Sequence, residues 1–248
     1  MKRSILRTHG GLGNQLFQIL YGRLFSQSGN LKLNEIHDSN YQHSFQRSNW
    51  LTLSGEPPQL QRFISFCRLP KIIQRIFKTE EKPISIMNDI YLDGYFQKVE
   101  YYKCFNPELI KKNLITLKKE LRIPVGEKNG KFLVHLRLGD FFKSQNQAED
   151  HARERLMKVP VYANVITNDE LLLKRPMLVE IIKDRKIELL ESNMLCAEEV
   201  LIKMANFSRI DANGSTLSVW CSILNDCDVS ITIPRIRALR DYIKLEKL

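Results

Sequence analysis

The sequence predicts an α/β chain of two domains, each built on its own sheet. Three observations carry this. A strand, a glycine loop and a helix open the chain; an apolar strand run recurs after residue 130; and Arg122–Gly130 mixes proline, glycine and charge as a linker does. With 248 residues, 43% of them apolar, the chain fits one large domain or two of roughly 120 residues, and neither a disordered nor a fibrous protein.

The elements follow in order. Ser4-Ile5-Leu6-Arg7 reads as a strand, His9 to Asn14 as a glycine loop, and Leu16, Ile19, Leu20 and Leu24 as the apolar stripe of a helix. Residues 30–60 are polar and turn-rich and predict a loop or short irregular pieces. From Gln61 to Lys78 apolar residues recur at helical spacing among arginines and lysines, which predicts a basic amphipathic helix that Pro70 kinks or splits. A strand and turn are expected over 84–97 and a helix from Pro107 to Leu121. After the 122–130 linker, Phe132 to Leu136 suits a buried parallel strand and Val161 to Ile166 a second. Ala197 to Phe207 reads as helix, Phe207 to Ala212 as strand-like, and Leu217, Trp220 and Leu224 as one face of a further helix. The domains are therefore expected at 1–121 and 131–248.

A net charge of +10 attracts anions without choosing among nucleic acid, lipid surface and phosphorylated metabolite. Zinc-finger spacing, an RNP aromatic pattern and a basic dimerising helix are all missing, so nucleic acid is not expected as a partner. Five cysteines without a C-x-x-C pair, and histidines never at i, i+4, argue for reduced thiols and against a structural zinc. No apolar run approaches the roughly 18 residues of a spanning helix, and the start lacks a signal peptide's apolar core, so a cytoplasmic protein is expected. The sequons at Asn206 and Asn213 are taken as chance matches.

Three clusters carry candidate chemistry. Gly10-Gly11-Leu12-Gly13-Asn14-Gln15 offers backbone N–H groups at a helix start to a phosphate or sugar oxygen, although it is neither G-x-G-x-x-G nor a Walker loop; a plain strand-to-helix turn is the alternative. His135-Leu136-Arg137-Leu138-Gly139-Asp140 leaves a strand at its carboxyl end, where open α/β sheets bind ligands. There His135 suits a base or ribose, Arg137 a diphosphate, and Asp140 the orientation of Arg137; a strand-end salt bridge beside a buried histidine is the alternative. Asn213 to Trp220 brings hydroxyls to a helix start, for a phosphate or simply as a cap.

In chain order, and with Leu92-Asp93-Gly94-Tyr95-Phe96-Gln97, these clusters resemble the bacterial α-1,2-fucosyltransferases of glycosyltransferase family eleven. Gly10 to Gln18 reproduces that family's G-G-L-G-N-Q-x-F-Q in full, and motif similarity spans about Arg7 to Trp220. The sequence departs from the family pattern at Leu138, where H-x-R-R-G-D has its second arginine, at Asn168 in a short F-S-D-D strand end, and at Gly214 and Val219.

The resemblance implies a GT-B fold, two Rossmann-like domains facing across a cleft, with an acceptor-side N-terminal domain and a C-terminal domain for the nucleotide sugar. It implies inverting transfer of L-fucose from GDP-β-L-fucose to an oligosaccharide hydroxyl, in α-1,2 linkage, for bacterial surface glycan (O-antigen or capsule). The family's roles fall on Arg137 and Asn14 as catalytic residues, and on Gly11, Gly13, His135, Asp140, Asp169, Ser215, Thr216 and Ser218 as donor-binding residues. No carboxylate pair has metal-binding spacing, so no metal cofactor is expected and cationic groups must stabilise the leaving diphosphate. Asp38, Asp93 and Asp140 stand as candidates for an unassigned general base. Another GDP-6-deoxyhexose donor and a noncatalytic relative are the alternatives. A lipid-linked acceptor would place basic charge, at 61–78 and Arg235 to Lys247, against an anionic inner membrane face.

Overall fold

The computed structural model describes residues 2–38, 59, 69–76, 81–126, 128–138, 142–192, 195–212 and 214–245. The chain divides into two compact units, Met1–Leu121 with Ala238–Leu248, and Arg122–Arg237. Residues 238–248 thus group with the first unit, whereas the sequence reading extends the second domain to 248. Each unit is an α/β structure on a largely or wholly parallel sheet.

In the first unit, β1 (Arg3–Thr8) is buried from Ser4 onward and pairs in parallel with β2 (Lys32–His37) on one side and β4 (Asp89–Leu92) on the other. β3 (Ile84–Ile86) adds antiparallel to β4. Met87 and Asn88, both at positive φ, form the two-residue turn whose twist suits such a hairpin. The strand order is β2-β1-β4-β3. β2 corrects the expectation of irregular structure over 30–60. Lys-Leu-Asn-Glu-Ile-His has no apolar alternation, and its polar residues are held by β1 instead: the Thr8 hydroxyl lies 2.5 Å from Glu35 Oε1 and 3.2 Å from His37 Nδ1.

Helix α1 (Leu12–Ser28) is buried at thirteen of its seventeen residues, which makes it the centre of the unit rather than a surface helix. Gly22 lets it lie close on the sheet: a Cβ there would stand 2.8 Å from a methyl of Leu6. The described part of the expected 61–78 helix is α2 (Leu69–Ile76), which includes Pro70. Residues 61–68, 77 and 78 lie outside the described residues. Helix α3 (Pro107–Glu120) has every terminal signal: Asn106 Oδ1 accepts from Glu108 N at 2.8 Å, Pro107 opens the first turn, and Lys118 and Lys119 lie in the last. It is tied to α1 by Arg23 with Glu120 at 2.8 Å and Asn113 with Gln27 at 2.9 Å.

In the second unit β5 (Asn129–Leu136) is central. The chain runs through α4 (Gln145–Lys158) to β6 (Asn164–Thr167), then α5 (Pro176–Asp184) to β7 (Glu188–Leu189), all on one side of β5. It returns through α6 (Ala197–Ala205) to β8 (Phe207–Asp211), then α7 (Thr216–Asn225) to β9 (Asp228–Ser230), on the other side. The order β7-β6-β5-β8-β9 is parallel throughout. The strand expected over Val161–Ile166 begins later, because Val161 and Tyr162 are exposed in a turn and Tyr162 has φ +65°. Helix α8 (Pro234–Leu245) closes the described chain.

One face of β5 presents Val134, Leu136 and Leu138 to Ala148, Ala152 and Leu156 of α4 and Leu178 of α5. No helix of the described residues is long and apolar enough to cross a membrane. Among the basic residues of α8, Arg237 donates to the Ile231 carbonyl and Arg240 pairs with Asp241 at 2.5 Å.

In each sheet the chain leaves its first strand in one direction and returns in the other, so the order reverses between β1 and β4 and between β5 and β8. A crevice opens at the carboxyl ends of such strands.

Replacing Gly22 with valine should destabilise the protein by roughly 1–3 kcal/mol through overpacking against Leu6, read as a lowered urea midpoint with an unchanged slope.

Candidate active site

At the reversal in the first unit, β1 runs into His9 and Gly10, and β4 into Asp93 and Gly94. Gly10 has φ +78°, a conformation for glycine, and a Cβ there would meet Asn14 Nδ2 at 3.2 Å. Two glutamines of the buried α1 hold the turn from within. Gln15 Nε2 donates to the Gly10 carbonyl at 2.7 Å, and the His9 backbone N–H donates to Gln18 Oε1 at 3.0 Å. Because that N–H can only donate, the Gln18 NH2 faces His9 Nδ1, at 2.6 Å, and the ring proton is assigned to Nε2. His9 Nε2 lies 3.9 Å from Asp93 Oδ1, and its ring stacks on Tyr95 with centroids 4.8 Å apart.

The arginine before this turn joins two of the base candidates. Arg7 Nη1 donates to Asp93 Oδ2 at 3.2 Å and Nη2 to Asp38 Oδ2. The Asp93 loop is itself fixed, since Gln74 Nε2 lies 3.2 Å from the Asp93 carbonyl and Tyr95 N donates to Glu81 Oε1 at 2.9 Å. Gly94 admits that glutamate, whose Cγ would stand 2.7 Å from a Cβ at 94. Gln97 Nε2 donates to Asn14 Oδ1 at 2.8 Å, so the first two motifs are joined directly. Gly13 is buried in the first turn of α1, and Gly11 precedes that helix with open space where a Cβ would stand.

At the reversal in the second unit, His135 lies on the face of β5 opposite Leu136, buried, with Nδ1 2.7 Å from Ser218 Oγ on α7. Arg137 follows just past the end of β5, near enough for its charge to act on the His135 ring. Burial first, and then the Arg137 charge, pull the His135 pKa down to about 4. The ring is therefore neutral at physiological pH and Arg137 is the positive group of this edge. Ser215, buried, precedes α7 and donates its N–H to the Ala212 carbonyl at 2.8 Å, while its hydroxyl makes no capping bond. Thr216, half-buried, is the first residue of α7, and the N–H groups of that first turn lie outside the helix's own ladder.

The end of β6 lies beside the end of β5. Leu138 N donates to Asn168 Oδ1 at 2.7 Å, so the two departures from the family pattern contact each other. Leu138 is fully buried in the apolar cluster, where an arginine would bury a charge. Asp169 accepts from Leu172 N at 3.1 Å through Oδ1 and caps a 3-10 turn, leaving Oδ2 outside any hydrogen bond among the described residues.

The structure thus places Asn14, Gly11 and Gly13 at the strand reversal of the first unit; at that of the second it places His135 against Ser218, with Arg137 just beyond in the chain, Ser215 and Thr216 at the start of α7, and Asp169 in the loop after β6. Asp140 lies outside the described residues. Ser218 is fully buried, its hydroxyl against His135 and 3.8 Å from Met204 Sδ. Sequence reasoning gave no role to Arg7, Gln15, Gln18 and Gln97. The available signal was Gln15 and Gln18 standing among the apolar residues Leu12, Leu16, Phe17, Ile19 and Leu20 of the same helix. Among the described residues no cluster of three histidine, cysteine or acidic groups could hold a metal ion.

No protein-family model and no curated protein matches the chain. Among solved structures it is similar to NodZ α-1,6-fucosyltransferase co-crystallised with GDP, at 15% identity and a TM-score of 0.45, over 90% of this chain and 92% of that one. It is similar to fucosyltransferase NodZ from Bradyrhizobium at 14% identity and 0.45, over 90% and 93%. Heptosyltransferase WaaC of E. coli with ADP is similar at 11% identity and 0.46, over 98% and 99%.

Between pH 6.5 and about 4 the unfolded chain binds a proton at His135 that the folded chain refuses, so folding stability present above pH 6.5 falls as pH drops through that window, by up to about 3 kcal/mol. Urea melts at pH 7 and pH 4.5 should show His135→Gln with a smaller loss than wild type over that interval. Leu138→Arg, which would bury a guanidinium in the apolar cluster, should lower stability by about 3 kcal/mol or more in the same melts.

Proposed function

We propose that this chain is a GT-B-type glycosyltransferase that transfers L-fucose from GDP-β-L-fucose to a sugar hydroxyl with inversion, in α-1,2 linkage, for a bacterial surface glycan. The observation that carries the reading is the contact of His135, whose ring feels the Arg137 charge, with Ser218 in the first turn of α7 at the strand reversal of a fully parallel sheet. The motif resemblance and the second reversal, where Asn14 is held by Gln97, support it.

In this reading the acceptor hydroxyl attacks the anomeric carbon while the bond to the diphosphate oxygen breaks, and the negative charge gathers on GDP. Arg137 and the first-turn N–H groups of α7 meet that charge, with Ser215 and Thr216 beside them. His135, neutral and oriented by Ser218, offers its remaining ring nitrogen to the nucleoside, and Asp169 its Oδ2. Ser218 acts through His135 rather than on a phosphate. Asn14 takes the catalytic role that the motif resemblance assigns it, with Gly11 and Gly13 beside it at the start of α1. Asp38 and Asp93 share the Arg7 guanidinium, and the general base stays unassigned. The donor charge is balanced without a metal, and the acceptor is an oligosaccharide, lipid-linked in a version that brings the enzyme to the inner membrane face.

The test is a calorimetric titration of GDP-fucose in EDTA, with GDP-mannose as competitor. Wild type should bind GDP-fucose saturably and in preference to GDP-mannose, and Arg137→Ala should lose binding; removing such a donor to developing charge also costs roughly 100- to 1,000-fold in rate. Folded protein that binds neither nucleotide sugar overturns the reading.

A further inference from the structure

The parallel ladder between β5 and β6 ends at Leu136 opposite Thr167. Beyond it the peptide joining Arg137 to Leu138 has left the strand, yet its N–H is not left to water: Asn168 Oδ1 accepts it at 2.7 Å. A backbone N–H can only donate, so the assignment of the Asn168 carbonyl oxygen to this bond is unambiguous.

The bond matters for the residue before it. It fixes the plane of the 137–138 peptide and therefore ψ of Arg137, while the fully buried Leu138 side chain anchors the far end of that peptide in the core. Between them they settle the direction in which Arg137 leaves the main chain. Asn168 is in turn held by its neighbours. Thr167 Oγ1 accepts from Asp169 N at 3.2 Å, Asp169 Oδ1 caps the turn at Leu172 at 3.1 Å, and the Ser192 hydroxyl donates to the Thr167 carbonyl. An acceptor on so constrained a loop is a fixed reference for the chain it grips.

We propose that Asn168 is a positioning residue for Arg137, holding through Leu138 N the backbone from which the guanidinium reaches the diphosphate of a nucleotide sugar. The role rests on the reading of Arg137 given above. It requires a side-chain acceptor at 168 and no contact between Asn168 and the ligand.

The experiment is a double-mutant cycle on GDP binding, measured by calorimetry, with hydrogen exchange at the Leu138 amide followed in every variant. Asn168→Ala and Asn168→Asp are each made with Arg137 and with Arg137→Lys, which keeps the charge and loses the fork. Asn168→Ala should weaken GDP binding about 10-fold beside Arg137, clearly less beside the lysine, and should release Leu138 N–H to exchange. Asn168→Asp keeps an acceptor at the same place, so it should retain the protection and bind better than the alanine variant. Equal weakening in both backgrounds, or unchanged binding once the Leu138 amide is released, overturns the proposal. If wild type binds no GDP while its Leu138 amide is protected, the donor reading has failed and the role of Asn168 fails with it; if wild type binds but the cycle is additive, only the positioning role has failed.

Discussion

A buried turn must hydrogen-bond its own backbone, because no water is there to do so. The turn between β1 and α1 meets this constraint with side chains of the helix it leads into, Gln15 taking the Gly10 carbonyl and Gln18 the His9 N–H. Much of the first unit's carboxyl edge follows. Gln18, once oriented by the backbone, orients His9; His9 faces Asp93; and Asp93 shares Arg7 with Asp38. These polar groups sit inside a helix buried nearly all round, where unpaired they would each be costly. The bonds that Gln15 and Gln18 give the turn accompany the depth of α1, whose first turn lies at the strand reversal.

The second unit meets the same constraint differently. Its edge is stitched between neighbouring segments rather than clamped by one helix: Asn168 takes Leu138 N, Ser218 meets His135, and Ser192 and Asp169 complete the loop after β6. Strand alternation then sorts the residues of β5. Val134 and Leu136 go into the apolar layer, which Leu138 joins just past the strand, and His135 goes to the face where α7 begins. The neutrality of His135 follows from that position, since burial and the neighbouring guanidinium act in the same direction.

The elements legible in the sequence are those with local signals. The opening strand and helix, α3 with its Asn-Pro start and lysine end, and β5 as an apolar run all stand close to where pattern places them. β2 was illegible because its stability is tertiary, from pairing with β1 and from Thr8, and its own residues lack alternation. The start of β6 was misjudged because Val161 and Tyr162 look strand-like but lie in an exposed turn. The candidate site was legible as motifs but not as contacts. Nothing in the sequence tells that Ser218 faces inward to His135, or that Gln97 reaches 83 residues back to Asn14. Such bonds depend on which strands are neighbours, and strand order is not a local property.

The two adjacent glycines of the first turn record different demands. Gly10 is required by the chain itself, through its backbone angle and the side chain of Asn14 close beside it. Gly11 has an ordinary φ of −65° and, among the described residues, nothing near the place a Cβ would occupy. A side chain at position 10 would strain the turn, whereas one at position 11 would extend beside the start of α1 without meeting any described residue.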